Sequence, residues 1–260
     1  MNVTDLCKDF GFLSLMETNN CKLITETKNI ELPNIFLIND KHDFYGTMIG
    51  LLIGIFSCNK LPKQILDFIL ENYKTVKNNN FFYLKYKGSY LNGYFNDELT
   101  INESLLPLLK NVKNDISLYS SKDFYNLTVL YIMITGGLEY EYSGDYNDNV
   151  INYCKEVSNS IIKKYGQILD YEIKVKYDSL IGSIDLITDN HIIEIKTTKV
   201  VEEKHKLQTF LYSVLKSNKD QKLIPILLNL NTGSESIITS NKNIDYWKYL
   251  ITGFFDIKHV

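Results

Sequence analysis

From residue 150 onward the spacing of apolar and polar positions changes period in a readable order. Val150, Cys154, Val157, Ile161 and Tyr165 recur at helical spacing and predict a helix over 150–165. Three short strand patterns follow, Tyr171 to Tyr177, Leu180 to Thr188 and His191 to Thr197, and then a helix from about Val201 to Lys216. A strand over Leu223 to Leu230 turns at Thr232-Gly233 into another at Glu235 to Thr239, and Ile244 to Phe255 predicts a closing helix. Helix, three-strand meander, helix, strand is the order of an α/β or α+β domain.

The first half of the chain shows mainly helical periodicity. After Pro62, a favourable first-turn proline, Ile65, Leu66, Ile69, Leu70 and Tyr73 fall on one helical face. Asn126 to Ile134 is apolar and stops at Gly136-Gly137, while Phe81 to Lys87 has strand character. The polar, turn-rich stretch Ser143 to Asn149 marks the expected boundary between residues 1–145, a mainly helical region, and 146–260, the α/β core.

Composition adds mostly exclusions. There is no alanine and no arginine, so all 28 basic residues are lysines, and 19 tyrosines accompany an excess of isoleucine and asparagine, as an AT-biased coding sequence would produce. A net charge of −3 excludes a bulk polycation, though not a local lysine-lined groove. Phosphate contacts would have to use lysine as a point charge. Cys7, Cys21, Cys58 and Cys154 form no C-x-x-C pair, so reduced thiols are expected rather than a zinc or iron–sulfur framework. The apolar run Phe44 to Phe56 is shorter than the roughly 20 residues a membrane span needs, and no secretory signal pattern is visible. The expectation is a soluble intracellular protein, in the cytoplasm or a host-cell compartment, with no membrane partner.

The meander carries the candidate chemistry. If Asp178-Ser179 and Asp189-Asn190 are two-residue hairpin loops, Glu172 stands opposite Asp185, and Glu194 stands opposite the same Asp185. Alternation then puts Glu172, Asp185, Glu194 and Lys196 on one face, with Ile173, Val175, Ile184, Leu186, Ile193 and Ile195 on the other as core. Neighbouring acids about 5 Å apart across a sheet repel one another. A hard divalent cation such as Mg²⁺ or Mn²⁺ removes that penalty, and a lysine beside it can orient water and stabilise charge on a phosphate. On the next helix Lys204, Gln208 and Tyr212 recur every four residues, beside a buried stripe of Leu207, Phe210, Leu211, Val214 and Leu215.

Gly182-Ser183-Ile184-Asp185, then Glu194-Ile195-Lys196, then Gln208 and Tyr212 four apart resemble the PD-(D/E)XK nuclease superfamily. The likeness is closest to its RecB-type and mitochondrial-genome-maintenance exonuclease branch, and it covers about Glu172 to Tyr212. It implies a restriction-endonuclease-like core and a metal-dependent deoxyribonuclease, an exonuclease on DNA ends or single strands. It implies Asp185 and Glu194 as metal ligands together with the Ile195 carbonyl, Glu172 as a further acid, and Lys196 as the essential lysine. Gln208 and Tyr212 would position the strand, with Lys204 and Thr197 as further nucleic-acid contacts, and Thr198 and Lys199 in reach of phosphates.

The pattern departs from the family at one place. Many relatives carry a histidine on an early helix in a G-T-x-x-H pattern, and here Gly46-Thr47-Met48-Ile49 runs into Gly50. That departure motivates an alternative, a nuclease-fold subunit that binds DNA without cutting it; a structure-specific endonuclease of the same superfamily is a further one. No cysteine follows Cys154, so the iron–sulfur cluster of some relatives is not expected, and no helicase motif or P-loop is present. Lys85, Lys87, Lys110 and Lys113 are candidates for a channel lining, with solvated faces the plainer expectation.

Overall fold

A computed structural model describes residues 1–33, 42–67, 83–85, 88–90, 93–95, 98–100, 116–136, 148–218 and 221–258. In chain order the elements are α1 (Val3–Leu6), α2 (Phe10–Thr18), β1 (Leu23–Asn29), α3 (His42–Cys58), β2 (Tyr83–Lys85), β3 (Gly88–Tyr90), β4 (Gly93–Phe95) and β5 (Glu98–Thr100). They continue as α4 (Ser121–Gly136), α5 (Asp148–Tyr165), β6 (Asp170–Tyr177), β7 (Leu180–Ile187), β8 (His191–Lys196), α6 (Glu203–Lys216), β9 (Ile224–Asn229), β10 (Ser234–Ser240) and α7 (Ile244–Lys258). Among the described residues no helix is long and apolar enough to cross a membrane.

The chain divides into two compact units, one made of Met1–His42 with Glu156–Val260, the other of Asp43–Lys155. The boundary expected at 145/146 is corrected accordingly. The first residues belong with the C-terminal part because β1 pairs antiparallel with β10 along its whole length, from Leu23 opposite Ser240 to Asn29 opposite Ser234. The described residues of the first half are mainly helical, with five strands, β1 to β5, among them.

Within the Asp43–Lys155 unit, α3 buries Leu51, Leu52, Ile53 and Ile55 completely, as expected of its apolar run. In α4 the apolar stretch buries Phe124, Leu127 and Leu130, and the helix ends at Gly136. Phe56 and Phe124 meet edge to face with centroids 5.1 Å apart. The strand expected within 81–87 appears as β2, paired with β5. Residues 63–67 are helical after Pro62, whereas Ile69, Leu70, Tyr73, Lys87, Lys110, Lys113 and the turn at 143–147 lie outside the described residues.

The other unit is an α/β structure, a six-stranded mixed sheet in the order β1-β10-β9-β8-β7-β6 flanked by helices. Only β8 and β9 run parallel, and α6 is the crossover such a pair requires. One face carries a core built on α6 and α7, where fully buried Trp247 stacks edge-on against Phe210 with centroids 5.0 Å apart. Leu227, Ile192, Ile187 and Ile238 contribute to that core from the sheet, as do Val3, Leu6 and Phe12 from the N-terminal helices. On the opposite face the end of α5 reaches the sheet, where Lys164 pairs with the buried carboxylate of Glu235 and the Tyr165 hydroxyl donates to it at 2.6 Å.

The two-residue hairpins give the expected register. Tyr177 faces Leu180 and Tyr171 faces Leu186, and across β8 Leu186 faces Ile193. The expected single apolar face is a correction. Ile184 and Ile187 both join the α6 core although they are three residues apart, so β7 changes face between them. Ile173 and Val175 go with Ile184, while Leu186, Ile193 and Ile195 are buried outside that core. The matching break on β6 is Glu172, a non-glycine with φ of 50°. A side chain in the left-handed region costs roughly 1–2 kcal/mol, a cost glycine escapes. Glu172→Gly should therefore hold or raise the melting temperature, whereas Ile173→Gly, at an ordinary strand position, should lower it. Thermal unfolding followed by circular dichroism checks both.

Candidate active site

The site lies where β7 and β8 part. Their ladder is paired only at Leu186 with Ile193 and Ile187 with Ile192. One residue further along, the Asp185 side chain takes over, its Oδ2 accepting from the Ile195 N–H at 2.6 Å. Glu194 lies two positions from Ile192 and so faces α6, and the Asp185 charge acts together with that of Glu194 on the Tyr212 phenol of α6, which puts it on the same side. Glu194 is 2% exposed. Its Oε1 accepts from the Lys196 ammonium at 2.7 Å, while its Oε2 is buried with no hydrogen-bond partner among the described residues.

Charge and burial set the proton affinities. Burial, reinforced by the Asp185 charge and opposed by Lys196, pushes Glu194 up to about 8. Burial likewise raises Asp185 above the ordinary carboxylate range, against the pull of Lys196 and the Ile195 N–H. Burial works against the Lys196 ammonium, but Glu194 and Asp185 outweigh it and hold the lysine above its usual value. Two buried acids therefore share one lysine, and one carboxylate oxygen has nothing to bind. An unmatched buried charge of this kind is costly.

Glu172 does not complete a row of three ligands. Its left-handed backbone turns the carboxylate to Ser183, whose hydroxyl donates to Oε2 at 3.2 Å, and its field on Glu194 is the weakest of those acting there. Among the described residues no group of three or more His, Cys, Asp or Glu side chains is gathered for a metal. The donor set the structure brings together is thus the two carboxylates of Asp185 and Glu194. Hard oxygens around an orphaned acidic oxygen suit Mg²⁺ or Mn²⁺, which bind through one or two carboxylates and keep several waters.

From α6, Gln208 reaches the same region. Its amide donates to the Thr4 hydroxyl at 3.0 Å and to the Tyr212 hydroxyl at 3.0 Å. Tyr212 is only 2% exposed, so the direct strand contact expected of it is corrected: it has no free face for a base. Its role is mechanical. A Cβ on Gly182 would come 2.5 Å from the Tyr212 ring and 3.0 Å from Val3, so the glycine three residues before Asp185 is the floor on which Tyr212 lies. Burial and the nearby Glu194 raise the Tyr212 phenol well above its usual range.

A cleft of about 290 Å³ opens beside these groups, lined by Thr4, Cys7, Lys8, Lys196, Lys204, His205 and Gln208. Lys204 pairs with Glu202 at 2.8 Å, and the His205 ring nitrogen Nδ1 accepts from the Glu202 N–H at 3.1 Å, tying down the start of α6. Thr197 is half-buried beside Lys196 and does not line the cleft; Thr198 is held by its bond to the Val200 carbonyl. Three of the seven lining residues, Thr4, Cys7 and Lys8, come from the first helices, which hydrophobic periodicity does not reveal. Their signal was the capping pattern of Asn2 with Thr4 and of Asp9 with Gly11 and Phe12, which marks two short helices close together.

No family model, no curated protein and no solved structure matches the chain.

Two outcomes follow from the geometry. Because Glu194 is raised from 4.5 in the unfolded chain to about 8, its contribution to stability is full below pH 4.5 and is lost as pH rises to about 8. In EDTA, wild-type stability should accordingly decline across that window. Glu194→Gln should flatten the decline and be the more stable protein at pH 8, as denaturant titrations at several pH values would show. Gly182→Ala should destabilise by roughly 1–3 kcal/mol by driving Tyr212 off its seat, read as a fall in melting temperature.

Proposed function

We propose that this chain is a metal-dependent deoxyribonuclease of the PD-(D/E)XK type with a restriction-endonuclease-like core, acting as an exonuclease on DNA ends or single strands. The observation that carries the reading is the Glu194 Oε2 atom, buried without a partner beside Asp185 and Lys196. Folding gains nothing from that arrangement, and a divalent cation would relieve it. The order of Gly182 and Asp185, Glu194 and Lys196, and Gln208 and Tyr212 supports it, as do the contacts of Gly182 and Gln208 with Tyr212 and the place of Lys196 and Gln208 in the cleft lining.

Asp185, Glu194 and the Ile195 carbonyl would hold the cation, and Mg²⁺ or Mn²⁺ there supplies Lewis-acid stabilisation of charge on the phosphate. The chain's own residues do the rest. The Asp185 bond to the Ile195 N–H fixes the direction of its carboxylate. Lys196, one-fifth exposed and paired with Glu194, is the cleft lysine next to the acids and orients the attacking water while offsetting charge on the phosphate oxygens. Water adds to phosphorus, the bond from phosphorus to the leaving sugar oxygen breaks, and the water proton leaves to solvent or to that oxygen. Gln208 and Tyr212 act as positioning residues, bracing α6 against β7 and α1.

Purified protein should degrade DNA with Mg²⁺ or Mn²⁺ and stop with EDTA. Asp185→Asn and Lys196→Ala should each lower the rate by roughly a hundredfold or more with the circular dichroism spectrum intact. Equal rates in parent and variants would sink the assignment. A subunit that binds without cutting is favoured by the small donor set, two carboxylates rather than three. It would bind DNA in the same preparations and leave every labelled end intact.

A further inference from the structure

β1 stands at one end of the six-stranded sheet, and among the described residues only β10 pairs with it. It runs from Leu23 to Asn29 without proline or glycine, and every residue from Glu26 to Asn29 is exposed. The direction of its backbone groups follows from its two ends. The Ile30 N–H donates to the Gly233 carbonyl at 2.8 Å, and the Lys22 carbonyl accepts from the Asn241 N–H at 3.2 Å. By alternation Ile24, Glu26 and Lys28 also direct their backbone groups at β10, and Thr25, Thr27 and Asn29 present theirs to the open edge.

An open edge of this length is a template for another strand, and charged side chains ordinarily blunt it. Here the charges are self-complementary. A second copy laid antiparallel about a two-fold axis through Thr27 sets Thr27 against Thr27 and Thr25 against the partner's Asn29. Those are the residues whose N–H and C=O groups face outward, and they make roughly six backbone hydrogen bonds. Between them Glu26 meets the partner's Lys28, and Lys28 the partner's Glu26. These fall at the pairs not hydrogen-bonded to each other, where Cα atoms come within about 4.5 Å and side chains are closest. On the same face Ile24, 55% exposed, meets the partner's Ile30. Sliding the copies by two residues either way puts Glu26 against Glu26 or Lys28 against Lys28, so the flanking registers are repelled.

Both charges are at liberty to make these pairs. Neither Glu26 nor Lys28 has an ion-pair partner among the described residues. The acid opposite Lys28 on β10 is Glu235, which is held by Lys164 and the Tyr165 hydroxyl.

We propose that β1 is a self-association edge whose partner is a second copy of this chain. The two six-stranded sheets join through antiparallel β1 strands into one continuous sheet, an isologous contact in which each Glu26 pairs with the other copy's Lys28.

Sedimentation velocity on the full chain, over a series up to about 100 µM, tests this and should show a monomer–dimer equilibrium. Glu26→Lys and Lys28→Glu should each weaken the dimer about tenfold or more, because each turns two attractive pairs into two repulsive ones. The double variant carrying both changes should dimerise like the parent, and an equimolar mixture of the two single variants should form a heterodimer. Thr27→Pro removes an outward N–H at the open edge, so it should abolish the dimer with the circular dichroism spectrum kept. A parent that stays monomeric throughout, single variants that dimerise as the parent does, or a mixture that stays monomeric would overturn the proposal. β10 and β9 stand between β1 and the acid-bearing β8, so these outcomes leave the nuclease reading where it stands.

Discussion

Two carboxylates and one ammonium, withdrawn from water at the point where two strands separate, are the constraint around which the larger unit is arranged. The Asp185 side chain substitutes for the next rung of the β7–β8 ladder by accepting from the Ile195 N–H, so the gap between the strands is closed by an acid instead of by backbone. Glu194 is thereby left with one oxygen on Lys196 and one on nothing. Neutral pairing would have been easier to bury. A chain that keeps this arrangement gives up stability at that position.

Much of the surrounding structure braces the elements on either side of that gap. Gly182 lets Tyr212 lie against β7, Tyr212 receives the Gln208 amide, and Gln208 reaches Thr4 on α1. These contacts connect the strand before the acid to the helix after the lysine and to the start of the chain. The residues of the Gly, Gln and Tyr motifs thus form one mechanical brace. Their spacing is explained by packing on the page, independent of any contact with a substrate.

The hairpin register was legible because two-residue loops leave no freedom in counting: once Asp178-Ser179 and Asp189-Asn190 turn, the partners of Asp185 are set. Side-chain direction was less legible. Strict alternation fails at Glu172, and nothing in a lone glutamate between Tyr171 and Ile173 announces a left-handed backbone. The six residues read as one apolar face consequently divide between two environments. The N-terminal contribution was hidden for a different reason. β1 reads Leu-Ile-Thr-Glu-Thr-Lys-Asn, an edge strand with several exposed positions, and its partner lies more than two hundred residues away in the chain. Periodicity is a local signal and carries no information about such pairing. Tyr212 was placed on the correct helix, but its burial depends on Gly182 of another strand.

The discontinuity of the larger unit bears on when the molecule becomes competent. β1 is made early and β10 late, with the whole Asp43–Lys155 unit between them. Contacts of such separation close slowly and cannot form during synthesis until the distant strand has left the ribosome. The docking of α1, which brings Thr4 and Cys7 to the cleft, needs α6 and β7 already in place. The chain order therefore acts as a built-in delay, with the cleft wall assembled only after α6 has been made.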